Sequence, residues 1–223
     1  TKIFCGCANR FGNEPNSNTC PVCLGLPGSL PVLSKTVLQY AIKVALALNC
    51  QISPFIKFDR KNYYYPDLPK GYQISQYDFP VGRAGEIVLS TAAGPKTIRI
   101  HRTHLEEDAG KLIHDSSLKC SFVDYNRAGT PLLEIVTEPD LRSSQEAYDY
   151  LTILKLTLEY LDVSDCDMEK GRLRCDANIS IRPRGDTKLG TKTEIKNLNS
   201  FRAVKLALDY EQARQQNLFF SGQ

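Results

Sequence analysis

An α+β fold, an antiparallel sheet with helices packed on one face, is what this sequence predicts, and three observations predict it. From residue 173 to 182 the odd positions Leu173, Cys175, Ala177, Ile179 and Ile181 are apolar or small, while the even positions Arg174, Asp176, Asn178, Ser180 and Arg182 are polar. That is the period-two pattern of a strand with one covered and one open face. Residues 86–91 and 97–105 read as two strands around a Gly94-Pro95 turn, and so short a connection suits antiparallel neighbours. Strand-helix alternation does not repeat along the chain, which argues against a parallel sheet with crossover helices.

The bounds are those of a globular protein. With 223 residues, 42% of them hydrophobic, the chain can bury a core, and at roughly 100 to 200 residues per domain it should hold one large domain or one with a small satellite. Basic and acidic residues, 28 and 25, nearly cancel to a net +3, so a nucleic-acid contact has to come from a local patch. No apolar run of about 18 residues and no signal-peptide pattern is visible, so the expectation is no membrane partner and a cytoplasmic location, an organellar one being compatible too. Of eight cysteines, Cys50, Cys120, Cys166 and Cys175 are scattered singly and read as reduced core residues.

Taken in order, the chain opens on Cys5-x-Cys7, twelve residues, then Cys20-x-x-Cys23. Two short chelating pairs at the ends of a loop suit a tetrahedral four-thiolate zinc site, with Gly6 and Pro21 supplying the tight turns; unmetallated thiols and a disulfide pair are the alternatives. Four sulfurs leave no open position, so such an ion would be structural. Behind Ser34 as N-cap, Leu38, Ile42, Ala45 and Leu46 recur at helical spacing up to Asn49, a helix of about 14 residues. Residues 59–76 follow as a loop: Arg60, Lys61, Lys70, Asp59 and Asp67 stand among four tyrosines, and Pro66, Pro69 and Gly71 break regular structure.

The second strand runs into Glu106-Glu107-Asp108, acids that are either solvated or metal-bound. Arg127, beside Gly129, suits either a phosphate or an ion pair. Residues 132–136 read as a buried strand. Ser143 and Glu146 form a capping box for a helix whose apolar face is Ala147, Leu151, Leu154, Leu158 and Leu161, and which should cover the sheet. Beside the alternating strand, residues 191–198 place Lys192, Glu194 and Lys196 on one side, so that Asp176 and Glu194 meet among cations, an arrangement that phosphoryl transfer requires. Ser200 caps a last helix with Val204, Ala207 and Leu208 inward. The run 185–193 imitates a phosphate-binding P-loop but has one residue too many before its lysine.

Several of these strings have a family likeness. Residues 59–76, Asp-Arg-Lys-Asn-Tyr-Tyr-Tyr-Pro-Asp-Leu-Pro-Lys-Gly-Tyr-Gln-Ile-Ser-Gln, resemble the signature of the B subunit of the aspartyl/glutamyl-tRNA amidotransferase, the GatB family. The paired cysteines, Leu105-Glu106-Glu107-Asp108-Ala109-Gly110-Lys111, the segment 123–131, Leu173-Arg174-Cys175-Asp176-Ala177-Asn178 and the segment 193–201 follow in the family's order.

The resemblance implies a catalytic domain at 31–223 similar to that of glutamine synthetase, with a zinc-knuckle segment at 1–30 built into it. The implied reaction phosphorylates the side-chain carboxylate of glutamate or aspartate mischarged on tRNA with ATP. Ammonia from a separate amidase, the A component of a complex that also holds a small C component, then displaces the phosphate. Glu107 and Asp176 are implied as magnesium ligands on one open face, with Glu106 and Glu194 as further candidates. Lys61 and Lys70 would stabilise phosphate charge or line the ammonia route, and Arg127 and Lys196 would contact phosphate. The family's N-terminal Gly-Leu-Glu-x-His strand and its helical and tRNA-binding C-terminal portions are expected to lie outside this sequence, leaving the metal site incomplete and the isolated chain an inactive scaffold. A competing reading is a non-enzymatic zinc-knuckle module that grips RNA through Tyr63, Tyr64, Tyr65, Lys61 and Lys70.

Overall fold

The computed structural model describes residues 1–221, in two compact units: Thr1–Ile87 with Arg99–Glu138, and Val88–Ile98 with the described residues from Pro139 onward. The first unit carries α1 (Pro21–Leu24), α2 (Lys35–Ala47), β1 (Gln51–Ile52), β2 (Asp59–Asn62), β3 (Tyr72–Ser75), β6 (Lys111–Asp115), β7 (Cys120–Asp124) and β8 (Pro131–Thr137). It also holds most of β4 (Gly82–Thr91) and β5 (Gly94–Glu107), whose turn-side ends belong to the second unit. A four-stranded sheet has the order β1-β4-β5-β8, and β2·β3 and β6·β7 are separate two-stranded pieces. The α+β class and the antiparallel pairing stand, but the single expected sheet is broken into several.

Close approach decides how α2 sits. It starts behind Ser34 as expected, yet its buried stripe is Ala41, Val44 and Ala45, followed by Leu48, while Leu46 faces out. Small residues line this face because the backbone comes very near β4. A Cβ on Gly85 would lie 2.4 Å from Cys50 Sγ and 2.5 Å from the Leu48 carbonyl oxygen, and Glu86 N donates to that same oxygen at 2.9 Å.

Three further expectations need correction. The stretch 59–76 is not loop throughout: its ends pair as β2 and β3, in register from Asp59↔Ser75 to Asn62↔Tyr72. The strand at 132–136 is present but half-buried, because β8 lies at the sheet's edge. Cys120 is exposed, on a β6–β7 hairpin that the sequence did not announce, whereas Cys50 and Cys166 are buried as expected.

The second unit is built on α3 (Ser144–Tyr160) and α4 (Phe201–Ser221), which pack against each other. Ser143 Oγ accepts from Glu146 N at 3.1 Å, and the box closes as expected, the Glu146 carboxylate accepting from Ser143 N alongside Arg142 N and the Lys96 ammonium. Ala147, Leu151, Leu154 and Leu158 are buried as expected.

The long alternating strand shrinks to β9 (Ala177–Ile179), paired with β10 (Thr193–Ile195). Exposure still alternates from Leu173 to Ile179, so the pattern marked the faces correctly. It did not supply a partner strand for residues 173–176, and Pro183 cannot donate to one.

Side chains of α4 hold this two-stranded piece. Gln215 Oε1 accepts from Ile181 N at 3.1 Å, while Gln215 Nε2 donates to Ile179 O at 3.2 Å and Thr193 Oγ1 at 2.9 Å. The Thr193 hydroxyl in turn donates to Glu211 Oε1 at 2.7 Å. Hydrogen bonds from Arg214, Gln215 and Thr193 bring the Glu211 carboxyl down to about 2, against the opposing effect of burial. A depressed carboxyl stabilises the fold fully above the unfolded value of ~4.3 and loses that contribution as pH falls through its folded value. Acid titration of the second unit should therefore show a loss of stability between about pH 4.3 and 2, flattened in Glu211→Gln; an unchanged acid limb in the variant would show that the network carries no stability.

Candidate functional site

The four paired cysteines converge. All four Sγ atoms lie within 4.8 Å of one another, because α1 sets Cys20 at its N-cap and Cys23 in its first turn, with Cys20 N donating to Cys23 Sγ at 3.2 Å. Burial raises the Cys5 thiol, and burial with the neighbouring thiols pushes Cys7 up to about 12. Burial also acts to raise Cys20, but hydrogen bonds led by the Cys23 and Val22 backbone and the Cys7 thiol bring it down to about 7.

A second feature fits a metal ion better than four neutral thiols. Lys2 is fully buried, and its ammonium donates to Cys23 Sγ at 3.5 Å and to Tyr125 O at 3.2 Å. A buried cation needs negative charge beside it, and four thiolates around a divalent ion carry a net −2.

The same unit holds the pair Lys70 and Glu107. Lys70 Nζ is 2.6 Å from Glu107 Oε1, with side chains 9% and 3% exposed. Ile74 N donates to that oxygen at 2.9 Å, and Gln73 Nε2 to the Glu107 carbonyl at 2.7 Å. Two-sided anchoring on β3 explains why Glu107 lies inside rather than on the expected open face: the charge is matched within hydrogen-bond reach.

One residue earlier, on the other face of the strand, Glu106 is half-buried beside the buried His104. Glu106 Oε2 accepts from Ser75 Oγ at 3.1 Å, and His104 Nε2 lies 3.8 Å from Glu106 and 3.4 Å from Glu134. Burial would raise the Glu106 carboxyl, but hydrogen bonds from His104 and Ser75 and the Lys61 charge outweigh it and hold it below its ordinary value. His104, Glu106 and Glu134 thus form a second set with metal-ligand spacing. Sequence reading found only Glu106 of the three. Register creates this set, with His104 directly opposite Glu134.

Lys61 is exposed on β2. Arg127 closes a loop instead of standing free: it donates to Ala109 O at 2.9 Å and Gly110 O at 2.6 Å and lies 3.4 Å from Asp108, the ion-pair side of its two readings. Tyr64 is 94% exposed, and with Tyr65, Leu68, Lys70 and Tyr125 it lines an open groove of about 400 Å³.

In the second unit the structure brings Asp176, Glu194 and Lys196 together. Lys196 Nζ is 3.4 Å from Glu194 Oε2 and 3.6 Å from Asp176 Oδ2. Its own pKa is raised, first by the Glu194 hydrogen bond and then by the Asp176 charge. All three are exposed: Glu194 is the outward residue of β10, and Asp176 and Lys196 flank β9 and β10 on the open side of the alternation.

Comparison with known proteins places this arrangement in a family. Residues 1–221 match the model of the GatB/GatE catalytic domain. The chain is 58% identical, over its full length, to the B subunit of an aspartyl/glutamyl-tRNA(Asn/Gln) amidotransferase from Carboxydothermus hydrogenoformans. Against proteins of the same name it is 61% identical over 96% of the chain in Caldanaerobacter subterraneus and 60% identical over its full length in Persephonella marina. It spans about half of each relative, 47%, 45% and 46% of their lengths. No helix among the described residues is long and apolar enough to cross a membrane. With nearly every residue matched by one domain model, and with paired cysteines and clustered acids where the family's strings led us to look, the chain belongs to the GatB/GatE catalytic domain family.

Proposed function

We propose that this chain is the catalytic portion of the B subunit of a tRNA-dependent amidotransferase, with a domain similar to that of glutamine synthetase. It would phosphorylate the side-chain carboxylate of Glu-tRNA(Gln) or Asp-tRNA(Asn) with ATP and amidate it in protein biosynthesis. The observation that carries this reading is the shared name of the relatives, each the B subunit of an aspartyl/glutamyl-tRNA(Asn/Gln) amidotransferase. The chemistry asks for two steps. Ammonia does not displace oxide from a carboxylate, so a carboxylate oxygen first attacks the γ-phosphorus and ADP leaves. Ammonia, supplied by the amidase component of a complex that also holds a small third component, then attacks the acyl carbon; phosphate leaves and the nitrogen gives up a proton.

Charges of both signs support the assignment of roles. Glu107 with Glu106 in the first unit, and Asp176 with Glu194 in the second, each taken by itself, are the proposed magnesium ligands; magnesium there would neutralise phosphate charge. Lys61, Lys70 and Lys196 are the cations proposed to meet phosphate oxygens. Arg127 is better spent holding its loop. Zinc is the proposed occupant of Cys5, Cys7, Cys20 and Cys23, because four thiolates at tetrahedral spacing suit it. The exposed tyrosines beside Lys70 would receive the tRNA end by stacking, so they call for no separate RNA-binding module.

The test uses the full-length protein with its amidase partner, ATP and each mischarged tRNA in turn. ATP hydrolysis should depend on the mischarged tRNA, and Asp176→Asn should lower amide formation by at least about 10²-fold while leaving the partner's glutamine hydrolysis intact. ATP turnover indifferent to tRNA would reject the reading, and loss of both activities in the variant would point to misfolding.

A further inference from the structure

The four-cysteine cluster and the Lys70–Glu107 pair share a wall. They line one cavity of about 60 Å³, walled by Cys5, Cys23, Gly25, Lys70, Glu107 and Gly129 among others. The contact runs through the end of α1. Gly25 closes that helix in the left-handed region, φ 68°, with its N–H directed to Pro21 and Val22 carbonyls. A Cβ there would meet Lys70 Cγ at 2.2 Å, Cδ at 3.0 Å and Cβ at 3.2 Å. The bare backbone of Gly25 therefore lies against the stem of Lys70, whose ammonium is held on Glu107 at 2.6 Å. From the other side, a Cβ on Gly129 would lie 3.5 Å from Cys23 Cβ, 3.5 Å from Lys2 Cδ and 3.9 Å from Glu107 Oε2. Cys20 and Cys23 bracket the very turn that ends at Gly25, so whatever fixes those two sulfurs fixes the surface on which Lys70 rests.

We propose that the four-cysteine centre sets the position of the Lys70–Glu107 pair, with Gly25 as the positioning residue, so that metal occupancy governs the transfer site as well as the local fold. The second half rests on the reading that Lys70 and Glu107 serve the transfer. Physically, a four-residue helix has too few internal hydrogen bonds to hold its own end in place. The bound ion supplies that constraint, and the packed stem passes it to the ammonium.

A glycine control makes this testable. Gly28 has a similar left-handed backbone, φ 83°, but nothing within 4 Å of its would-be Cβ, so Gly28→Ala carries the strain without the contact. In the full-length protein within its complex, each lysine's acylation by acetic anhydride would be read by mass spectrometry, with metal content measured in parallel. Gly25→Ala should keep the wild-type metal content, raise Lys70 acylation about tenfold as the pair opens, and lower kcat for amide formation with KM for tRNA unchanged. Gly28→Ala should leave all of these at wild-type values.

Should Gly25→Ala fail to assemble, chelation of the wild-type complex, read below the melting temperature of the metal-free protein, reports the same coupling: Lys70 acylation rises while that of Lys96, in the second unit, stays constant. Unchanged Lys70 acylation in metal-loaded Gly25→Ala, or an equal rise in Gly28→Ala, overturns the proposal. A rise at Lys70 with normal amide formation would leave the positioning in place and refute the functional reading of the pair.

Discussion

Lys70→Ala is expected to cost about 3–5 kcal/mol of stability, the usual penalty for stranding one member of a buried ion pair. With the ammonium gone, the Glu107 carboxylate keeps Ile74 N as a donor, which is not enough to replace a matched charge at 2.6 Å. The double variant Lys70→Met/Glu107→Gln separates fold from function. Methionine refills the stem's volume, and the glutamine oxygen still accepts from Ile74, so stability should return to within about 1 kcal/mol of the parent. Amide formation should stay abolished, because neither the cation nor the carboxylate is restored. Denaturant unfolding gives the first quantity and product assay the second. A Lys70→Ala protein as stable as its parent would mean that the pair is not buried in solution.

Loss of the metal should be the other large effect. Apparent binding free energies of structural zinc in small peptides run about 10–16 kcal/mol, comparable to or above the whole stability of a typical domain, about 5–15 kcal/mol. Zinc content should be one ion per chain, with Zn–S distances near ~2.3 Å by X-ray absorption. Chelation or Cys23→Ser should lower the melting temperature by tens of degrees, since about 1 kcal/mol shifts it by roughly 2–4 °C at this chain length. The buried Lys2 ammonium adds to the effect, because the cluster supplies the negative charge beside it, next to a carbonyl dipole. A metal-free preparation that melts with the parent would dispose of the centre as a structural element.

Much of this was legible before any coordinates. Local signals were reliable where one short-range rule decided the outcome. Ser34 and Ser143 mark the starts of α2 and α3, the cysteine spacing marks the cluster, and the outward positions Asp176, Glu194 and Lys196 follow from alternation alone. Failures came where a distant partner decides. Alternation across 173–182 states which way side chains point but not where a second strand ends. Both strands of the β6–β7 hairpin are largely exposed on each face, so no period distinguishes them from loop. Lys2 defied expectation because lysine is almost never fully buried; only the neighbouring thiols explain it. His104 and Glu134 became neighbours through the register of β5 and β8, which no short window contains.

The grip of α4 on the small β9–β10 piece also limits how this part of the chain can vary in length. Glu211 and Gln215 stand one helical turn apart and act together because they project to the same side. Adding or deleting a single residue between Ser200 and Glu211 would rotate both by about 100°, swinging them away from Thr193, Ile179 and Ile181 at once. Substitutions along the outer face of α4 leave that geometry alone, so the stretch is permissive in composition but intolerant of insertions. The loop at 183–190 lies between the two strands and outside the helix, and a changed residue count there is absorbed without turning α4.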